Sequence, residues 1–300
     1  MRAIWKKKNS KNTAFCAPRP NMSWFLLLVF WLAWFGGVYK IFEIVFSMNT
    51  RVVILAAGKG SRMGADVPKA LVPVAGRPMI DYLLDSIKNS GLEEKPIVVI
   101  GHDMEKMQAY LSGRCEFAIQ AEQLGTGHAL KCSLPNLETA DRVIVLYGDH
   151  AFVSAETIRE LSEKCQACLS PVMLMTLDVG DFEDWRKTFY DFGRIARNTA
   201  GEVERIVERK DSTNAEKLIT EVNPGYYCFS VEWVKKNIDK LENKNAQGEF
   251  YLTDLISLAM SQGHRVETLT VTNPLEGIGV NSPEQLKLAE EALVSIRRED

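Results

Sequence analysis

Chemistry is most readable in this chain at three short stretches. The first is LAAGKGSRMG, Leu55 to Gly64. It follows an apolar run and carries Gly58, Gly60 and Gly64, so its backbone N–H groups can approach phosphate oxygens closely. Lys59 and Arg62 add positive charge, and Lys69 follows just beyond Pro68. Guanidinium and ammonium together suit a polyphosphate, one as a fork and one as a point charge. The spacing fits neither the dinucleotide fingerprint G-x-G-x-x-G nor the Walker loop, whose lysine comes later. Glycine spacing alone also fits a tight strand–helix turn with solvated cations.

The second stretch is LYGDH, where Asp149 ends an apolar run. Open α/β sheets bind ligands at such strand ends. One carboxylate there suits a Mg²⁺ that takes its other ligands from water and phosphate; a turn or helix-capping aspartate is the alternative. The third is QAEQLGTGHAL, residues 120–130. Gln120 and Gln123 offer the amide donors and acceptors that a pyrimidine edge requires, and Gly125 and Gly127 expose N–H groups at a helix start. His102, His128, His150 and His264 are scattered without metal spacing and are read as non-ligands. The CQAC pair at 165–168 lies late in a helical pattern, with no second C-x-x-C and no nearby histidine. It is read as plain structural or surface cysteine.

No Ser–His–Asp, Cys–His or paired-acid arrangement is evident. That pattern suits a reaction whose nucleophile is a phosphate monoester. Such a group is already an anion and needs no general base. The protein then has to align it, neutralise charge and stabilise a leaving pyrophosphate.

These residues need a scaffold. RVVILAA (51–57), KPIVVIG (95–101) and RVIVLYGD (142–149) are near-continuous apolar runs, the pattern of strands buried on both faces. PMIDYLLDSIKNSG, DMEKMQAYL, GHALKCSL and SAETIRELSEKCQACL alternate with them and with the short strand CEFAIQ at helical spacing, Ser154 capping the last. The order predicts an α/β protein with an open, mostly parallel sheet. Further on, PVMLMTLDV, GRIARN, EVERIVER and EVNPGYYCFS read as strands with turns between them, which makes the sheet mixed, with a small antiparallel part. VEWVKKNIDKL and YLTDLISLAMSQG read as helices and HRVETLTVT as a late strand. SPEQLKLAEEALVSIRR is a final helix, with Ser282 as cap, Pro283 at the first position and Gln285 completing a capping box.

Composition separates the 300 residues into two parts. Residues 1–47 carry seven Lys/Arg against Glu43, a net +6 in a chain of net −3, which leaves residues 48–300 at −9. An acidic body argues against nonspecific nucleic-acid binding. Residues 21–39 contain no charge and follow six basic residues, as a membrane element with a cytoplasmic N-terminus would. Residues 48–300 read as one domain.

Taken together, LAAGKGSRM…PKAL, QAEQLGTGHA, YGD, GRI, VERKD, NAQGEFYLTDLI and GVN resemble the sugar-1-phosphate nucleotidyltransferases. Within them, the chain resembles the uridyltransferase half of the bacterial bifunctional N-acetylglucosamine-1-phosphate uridyltransferase/glucosamine-1-phosphate acetyltransferases, over about 51–297. The resemblance implies a Rossmann-like nucleotidyltransferase fold. It implies transfer of UMP from UTP to N-acetylglucosamine 1-phosphate with release of pyrophosphate, and Mg²⁺ as cofactor. By the same resemblance, Leu55, Ala56, Ala57 and Gly58 hold base and ribose through backbone groups. Arg62 and Lys69 neutralise the triphosphate, with Arg62 on the departing pyrophosphate. Gln120, Gly125 and Thr126 read uracil, and Tyr147 and Gly148 line the site. Asp149 and Asn281 hold the metal, and Gly193, Glu208 and Asn223 contact the sugar.

Three positions depart from the family pattern: Phe192 for tyrosine, Pro224 in EVNPG, and His150 where a small apolar residue is expected. A different sugar 1-phosphate such as glucose 1-phosphate, another nucleotide, or a noncatalytic UDP-sugar-binding module are the rival readings. No hexapeptide-repeat β-helix follows the body, so acetyltransferase activity and its trimer are expected to be absent. UTP is cytoplasmic, whereas an N-terminal anchor would place the body outside. Met48 opens a segment that reads like the family's start. Residues 1–47 are therefore either a mis-assigned upstream extension of a cytoplasmic protein or a hydrophobic extension that associates it with a membrane.

Overall fold

In the computed structural model, residues 48–58, 67–245 and 247–299 are described. The predicted N-terminal extension and Arg62 both lie outside them. Among the described residues no helix is long and apolar enough to cross a membrane.

The chain opens with β1 (Thr50–Leu55) and a small hairpin, β2 (Pro73–Val74) and β3 (Arg77–Pro78). Then come α1 (Met79–Ser90), β4 (Ile97–Ile100), α2 (Met104–Leu111), β5 (Glu116–Ile119) and α3 (Thr126–Ser133). β6 (Arg142–Tyr147), α4 (Ala155–Ala167) and β7 (Val172–Asp178) complete the alternating half. The second half holds β8 (Arg194–Arg197), β9 (Val203–Val207), β10 (Glu221–Val222), β11 (Tyr227–Ser230), α5 (Val231–Asn237), α6 (Asp254–Ser261), β12 (Glu267–Val271) and α7 (Pro283–Glu299).

The large sheet runs β5-β4-β1-β6-β11-β7-β10-β8-β9, with β12 also paired to β7. β5, β4, β1 and β6 are parallel, as the apolar runs predict, and β12 is parallel to β7. The antiparallel part takes in β11, β10, β8 and β9. It reaches the middle of the sheet because β11 lies between β6 and β7.

Strand alternation explains the layers. Val53, Leu55, Val143 and Val145 face one side, where Ala129, Leu130, Val234, Leu255 and Ile256 of α3, α5 and α6 cover them. Val52, Ile54, Ile144 and Leu146 face the other, under Ile80, Leu83, Ile87, Met107, Leu111, Ile158 and Leu161 of α1, α2 and α4. Each such side chain taken fully from water contributes about 1.5–3 kcal/mol. A third cluster joins Val72, Val74, Met79, Leu177, Phe189, Val222, Ile278 and Val280 to Ala289 and Leu293 of α7.

Three local expectations are corrected. EVNPGYYCFS is two strands, not one. Pro224 has no N–H to give a ladder, Gly225 turns the chain at φ +94°, and Asn223 Oδ1 accepts from Gly225 N at 3.0 Å. The capping box at α7 is shifted by one residue. Gln285 N donates to Ser282 Oγ at 3.3 Å as expected, but Gln285 Oε1 accepts from Asn281 N at 2.7 Å rather than from Ser282 N. Cys165 of the C-x-x-C pair is disulfide-bonded to Cys228, tying α4 to β11 across 63 residues, while Cys168 is a free thiol. By contrast Ser154 caps α4 as read, its Oγ accepting from Thr157 N at 3.0 Å.

Candidate active site

At the carboxyl ends of β1 and β6 lies a cavity of about 340 Å³. The register sets it up: Leu55 and Tyr147 are Cα partners, so the residues after each strand end side by side. Gly148 N donates to Leu55 O at 3.0 Å and Ala56 N to Val99 O at 3.0 Å. A Cβ on Gly148 would sit 3.0 Å from the Ala56 Cβ. The two segments approach this closely because both residues are small. Leu55, Ala56, Ala57, Gly58, Lys69, Gln120, Gly125, Thr126, Tyr147, Gly148 and Asp149, eleven of the residues singled out from the sequence, line this one cavity.

One wall is made by two stretches far apart in sequence. Phe250 N donates to Leu124 O and Gly127 N to Phe250 O, each at 2.8 Å. Leu252 N donates to Thr126 Oγ1 at 2.9 Å. QAEQLGTGHA and NAQGEFYLTDLI are thus hydrogen-bonded to each other, and Glu249 from the second stretch lines the cavity. Sequence reading quoted that stretch but assigned none of its residues to the site. Gln123 was noted only for its amide; the structure gives it a place, Nε2 donating to Ala57 O at 2.7 Å. Gln120, expected to present a donor and an acceptor, has its amide nitrogen already engaged by Gly125 O at 2.9 Å and by His128 Nδ1 at 3.1 Å.

The charged centre is Lys69, Asp149 and Asn281. Lys69, in a short 3₁₀ turn after Pro68, donates through Nζ to Asp149 Oδ2 and to Asn281 Oδ1. Two oxygens from residues far apart in sequence, Asp149 and Asn281, therefore converge on one cation. Burial raises the Asp149 carboxyl, but its neighbours, His150 first and then the Lys69 ammonium bonded to it, more than offset this and hold it below the usual range. Tyr147 is pushed up by burial and stays a neutral phenol.

Gly193, Glu208 and Asn223 form a separate group beside the cavity. Asn223 N donates to Gly193 O at 2.9 Å. A Cβ on Gly193 would lie 3.4 Å from Glu208 Oε1. Asn223 Nδ2 donates to Tyr227 Oη at 3.0 Å. The group adjoins the cavity through Gly225, whose added Cβ would be 2.9 Å from the Tyr147 ring. Burial first, then Asp211 and Asp254, push the Glu208 carboxyl up. Next to it Arg194 is fully buried, donating to Phe192 O and Tyr190 O and stacked 4.5 Å from the Phe182 ring centroid. Its place in the short GRI motif carried no sign of this role.

An open α/β sheet with a cavity at the parallel strand ends, a small-residue loop and a lysine–aspartate–asparagine centre has the layout of a Rossmann-like nucleotidyltransferase domain. Comparisons with known proteins agree. Residues 52–184 match the family described as the MobA-like NTP transferase domain. The chain is 40% identical over 247 residues to the bifunctional protein GlmU of Clostridium novyi, covering 82% of this chain and 52% of that protein. It is 39% identical over 245 residues to the GlmU of Desulfotalea psychrophila, covering 81% and 70%. A crystal structure of a Bacillus anthracis protein assigned as a glucose-1-phosphate thymidylyltransferase shares the fold, with a TM-score of 0.65 at 20% identity over 81% of this chain and 94% of that one. The chain belongs to the GlmU family of sugar-1-phosphate nucleotidyltransferases, as its motifs imply. It spans about half the length of the Clostridium novyi relative.

Proposed function

We propose that the chain is a UDP-N-acetylglucosamine diphosphorylase. It would join UTP and N-acetylglucosamine 1-phosphate into UDP-N-acetylglucosamine and release pyrophosphate. The observation that carries this reading is the convergence of Asp149 and Asn281 on Lys69 in the cavity walled by the two long family motifs.

The donor set also fits the cofactor. A carboxylate oxygen and an amide oxygen, both already turned toward one positive charge, suit Mg²⁺, which takes one or two protein oxygens and leaves its other positions to water and phosphate. When bound there, the ion would neutralise phosphate charge. The chain's residues do the rest. The Leu55–Gly58 backbone and the Gln120–Thr126 loop hold the nucleoside. Asp149 and Asn281 would hold the metal, and Lys69 would pair with phosphate oxygens. Glu208 and Asn223 orient the sugar so that its phosphate oxygen attacks the α-phosphorus in line with the departing pyrophosphate. An enzyme that consumes UTP in this way would work in the cytoplasm.

Pyrophosphate release should be measured with UTP, dTTP and CTP against N-acetylglucosamine 1-phosphate and glucose 1-phosphate. UTP with the N-acetylated sugar is expected to be fastest by at least about a hundredfold, two tenfold steps of about 1.4 kcal/mol each. A preference for glucose 1-phosphate would overturn the sugar assignment, and UDP-sugar binding without any pyrophosphate would overturn the enzyme.

The loop has its own test. A Cβ on Gly58 meets nothing within 4 Å among the described residues. Gly58→Ala is thus expected to leave stability unchanged or raise it by up to about 1 kcal/mol. Its KM for the nucleotide should rise about tenfold, because the ligand, not the protein, needs that space. An unchanged KM would show that no phosphate or ribose approaches Gly58.

A further inference from the structure

We propose that His150 and Tyr226 are a positioning pair that holds Asn281 against Asp149 and thereby sets the geometry of the divalent-cation site. The inference rests on the nucleotidyl-transfer reading above. No role follows from the motif pattern, in which the residue after Asp149 is small and apolar.

His150 is buried, and its Nδ1 is hydrogen-bonded to the hydroxyl of Tyr226, itself wholly buried. The two rings meet edge to face, centroids 5.1 Å apart at 88°. Tyr226 has one hydroxyl proton, and it donates that proton to Glu276 O at 2.8 Å. His150 Nδ1 must therefore be the donor to Tyr226, and Nε2 is left without a proton in the neutral ring. That Nε2 side packs against Gly279, where an added Cβ would lie only 2.6 Å away. A bulky residue at 150 and a missing side chain at 279 are complementary.

The consequence falls on residues 276–281. This segment is tied at Glu276 O by Tyr226, at Gly279 by the imidazole face, and at Val280 N by Asp149 O at 3.0 Å. Asn281 N is fixed at the far end by Gln285 Oε1. Glu276 is held from its other side, its carboxylate accepting from Ser154 N at 3.0 Å. Two of these five ties run through His150 or the tyrosine it orients. The Asn281 oxygen can meet Asp149 at one cation only if this segment keeps its place. The imidazole touches neither of those oxygens at hydrogen-bond distance; Nε2 is 3.7 Å from Asp149 Oδ1. It acts through the segment it holds.

Binding of Mn²⁺ to the protein with UTP present, followed by the enhancement of water proton relaxation that protein-bound Mn²⁺ gives over Mn²⁺–UTP in solution, tests this. His150→Val should weaken Mn²⁺ by about ten- to hundredfold, the usual cost of losing a partner behind a metal ligand. Tyr226→Phe should move it in the same direction. His150→Asn, whose side-chain N–H can still reach the tyrosine hydroxyl, should recover part of the loss. UTP affinity without metal should stay within about twofold of wild type, since the nucleoside wall is elsewhere. A folded His150→Val protein that binds Mn²⁺ like wild type overturns the proposal, and so does one whose only change is a lower melting temperature. Should that variant not fold, Tyr226→Phe, which keeps the ring, decides the question on the same readout. Absence of Mn²⁺ binding and of pyrophosphate release in the wild type would instead remove the nucleotidyl-transfer reading, and this inference with it.

Discussion

Asp149→Asn is expected to lower turnover about a thousandfold, which corresponds to about 4 kcal/mol of lost transition-state stabilisation. The substitution keeps the shape and one acceptor oxygen but removes the charge that balances Lys69. The loss should fall on kcat more than on the KM for the nucleotide, because the wall proposed to hold base and ribose would be intact. Stability responds with a definite sign. The folded-state carboxyl lies below its ordinary value of 3.8, so its contribution is present above that pH and disappears as pH falls through the folded value. The variant should therefore show a flatter acid limb in its stability-versus-pH curve than wild type. Circular dichroism establishes folding, and pyrophosphate release establishes rate. A folded variant within tenfold of wild-type turnover would refute the role given to Asp149.

Gly125→Ala is expected to be the most damaging small substitution. Gly125 has φ +108°, and an added Cβ would lie 2.6 Å from Phe250 O and 2.8 Å from Phe250 N. Both obstacles are backbone atoms, and neither can give way. Phe250 N is bonded to Leu124 O and Phe250 O to Gly127 N. A left-handed non-glycine residue costs about 1–3 kcal/mol, and crowding of a packed contact about as much again. The expected loss is about 3 kcal/mol of stability, with at least a tenfold loss of nucleotide affinity as the two motif stretches part. Thermal melts and nucleotide titration read both. A melt indistinguishable from wild type would mean that the loop and the 249–252 stretch are not held together as described. Gly58→Ala, with open space around its Cβ among the described residues, is the matched control for the thermal melt.

How much of this was legible depended on whether the cause was local. β1 and β6 could be read from VVIL and VIVLY because strands covered on both faces leave an unbroken apolar run, and Ser154 because a cap acts within three residues. Asp149 could be placed at a ligand site because strand ends collect ligands in this fold class, and Lys69 was joined to it through the family resemblance. What escaped depends on partners distant in sequence. Nothing near Cys165 points to Cys228. EVNPGYYCFS has strand composition throughout, yet Pro224 and the left-handed Gly225 divide it between two pairings with β7. His150 was visible as a departure, but its meaning needed Tyr226 and Gly279, 76 and 129 residues further along.

The position of β11 bears on how the chain is made. β6 and β7 are joined through α4 and run parallel, since β11 is antiparallel to each and lies between them. When β7 leaves the ribosome, β11 does not yet exist. A direct β6–α4–β7 unit, the usual right-handed crossover, is then the nearest available pairing. At about 5–20 residues per second, the roughly 80 residues from Tyr147 to Tyr227 take on the order of 4–16 s to add. Through that interval the edge of β6, with Val143 to Leu146, has no native neighbour on one side, and an open apolar edge invites foreign strands. A nascent chain that closed the gap early would have to reopen it to admit Tyr227–Ser230. The same late insertion brings in Tyr226, and with it the tie that reaches Glu276. The proposed active site would therefore mature in the order of synthesis: the wall at the ends of β1 and β6 begins first, and the placing of Asn281 beside Asp149 comes last.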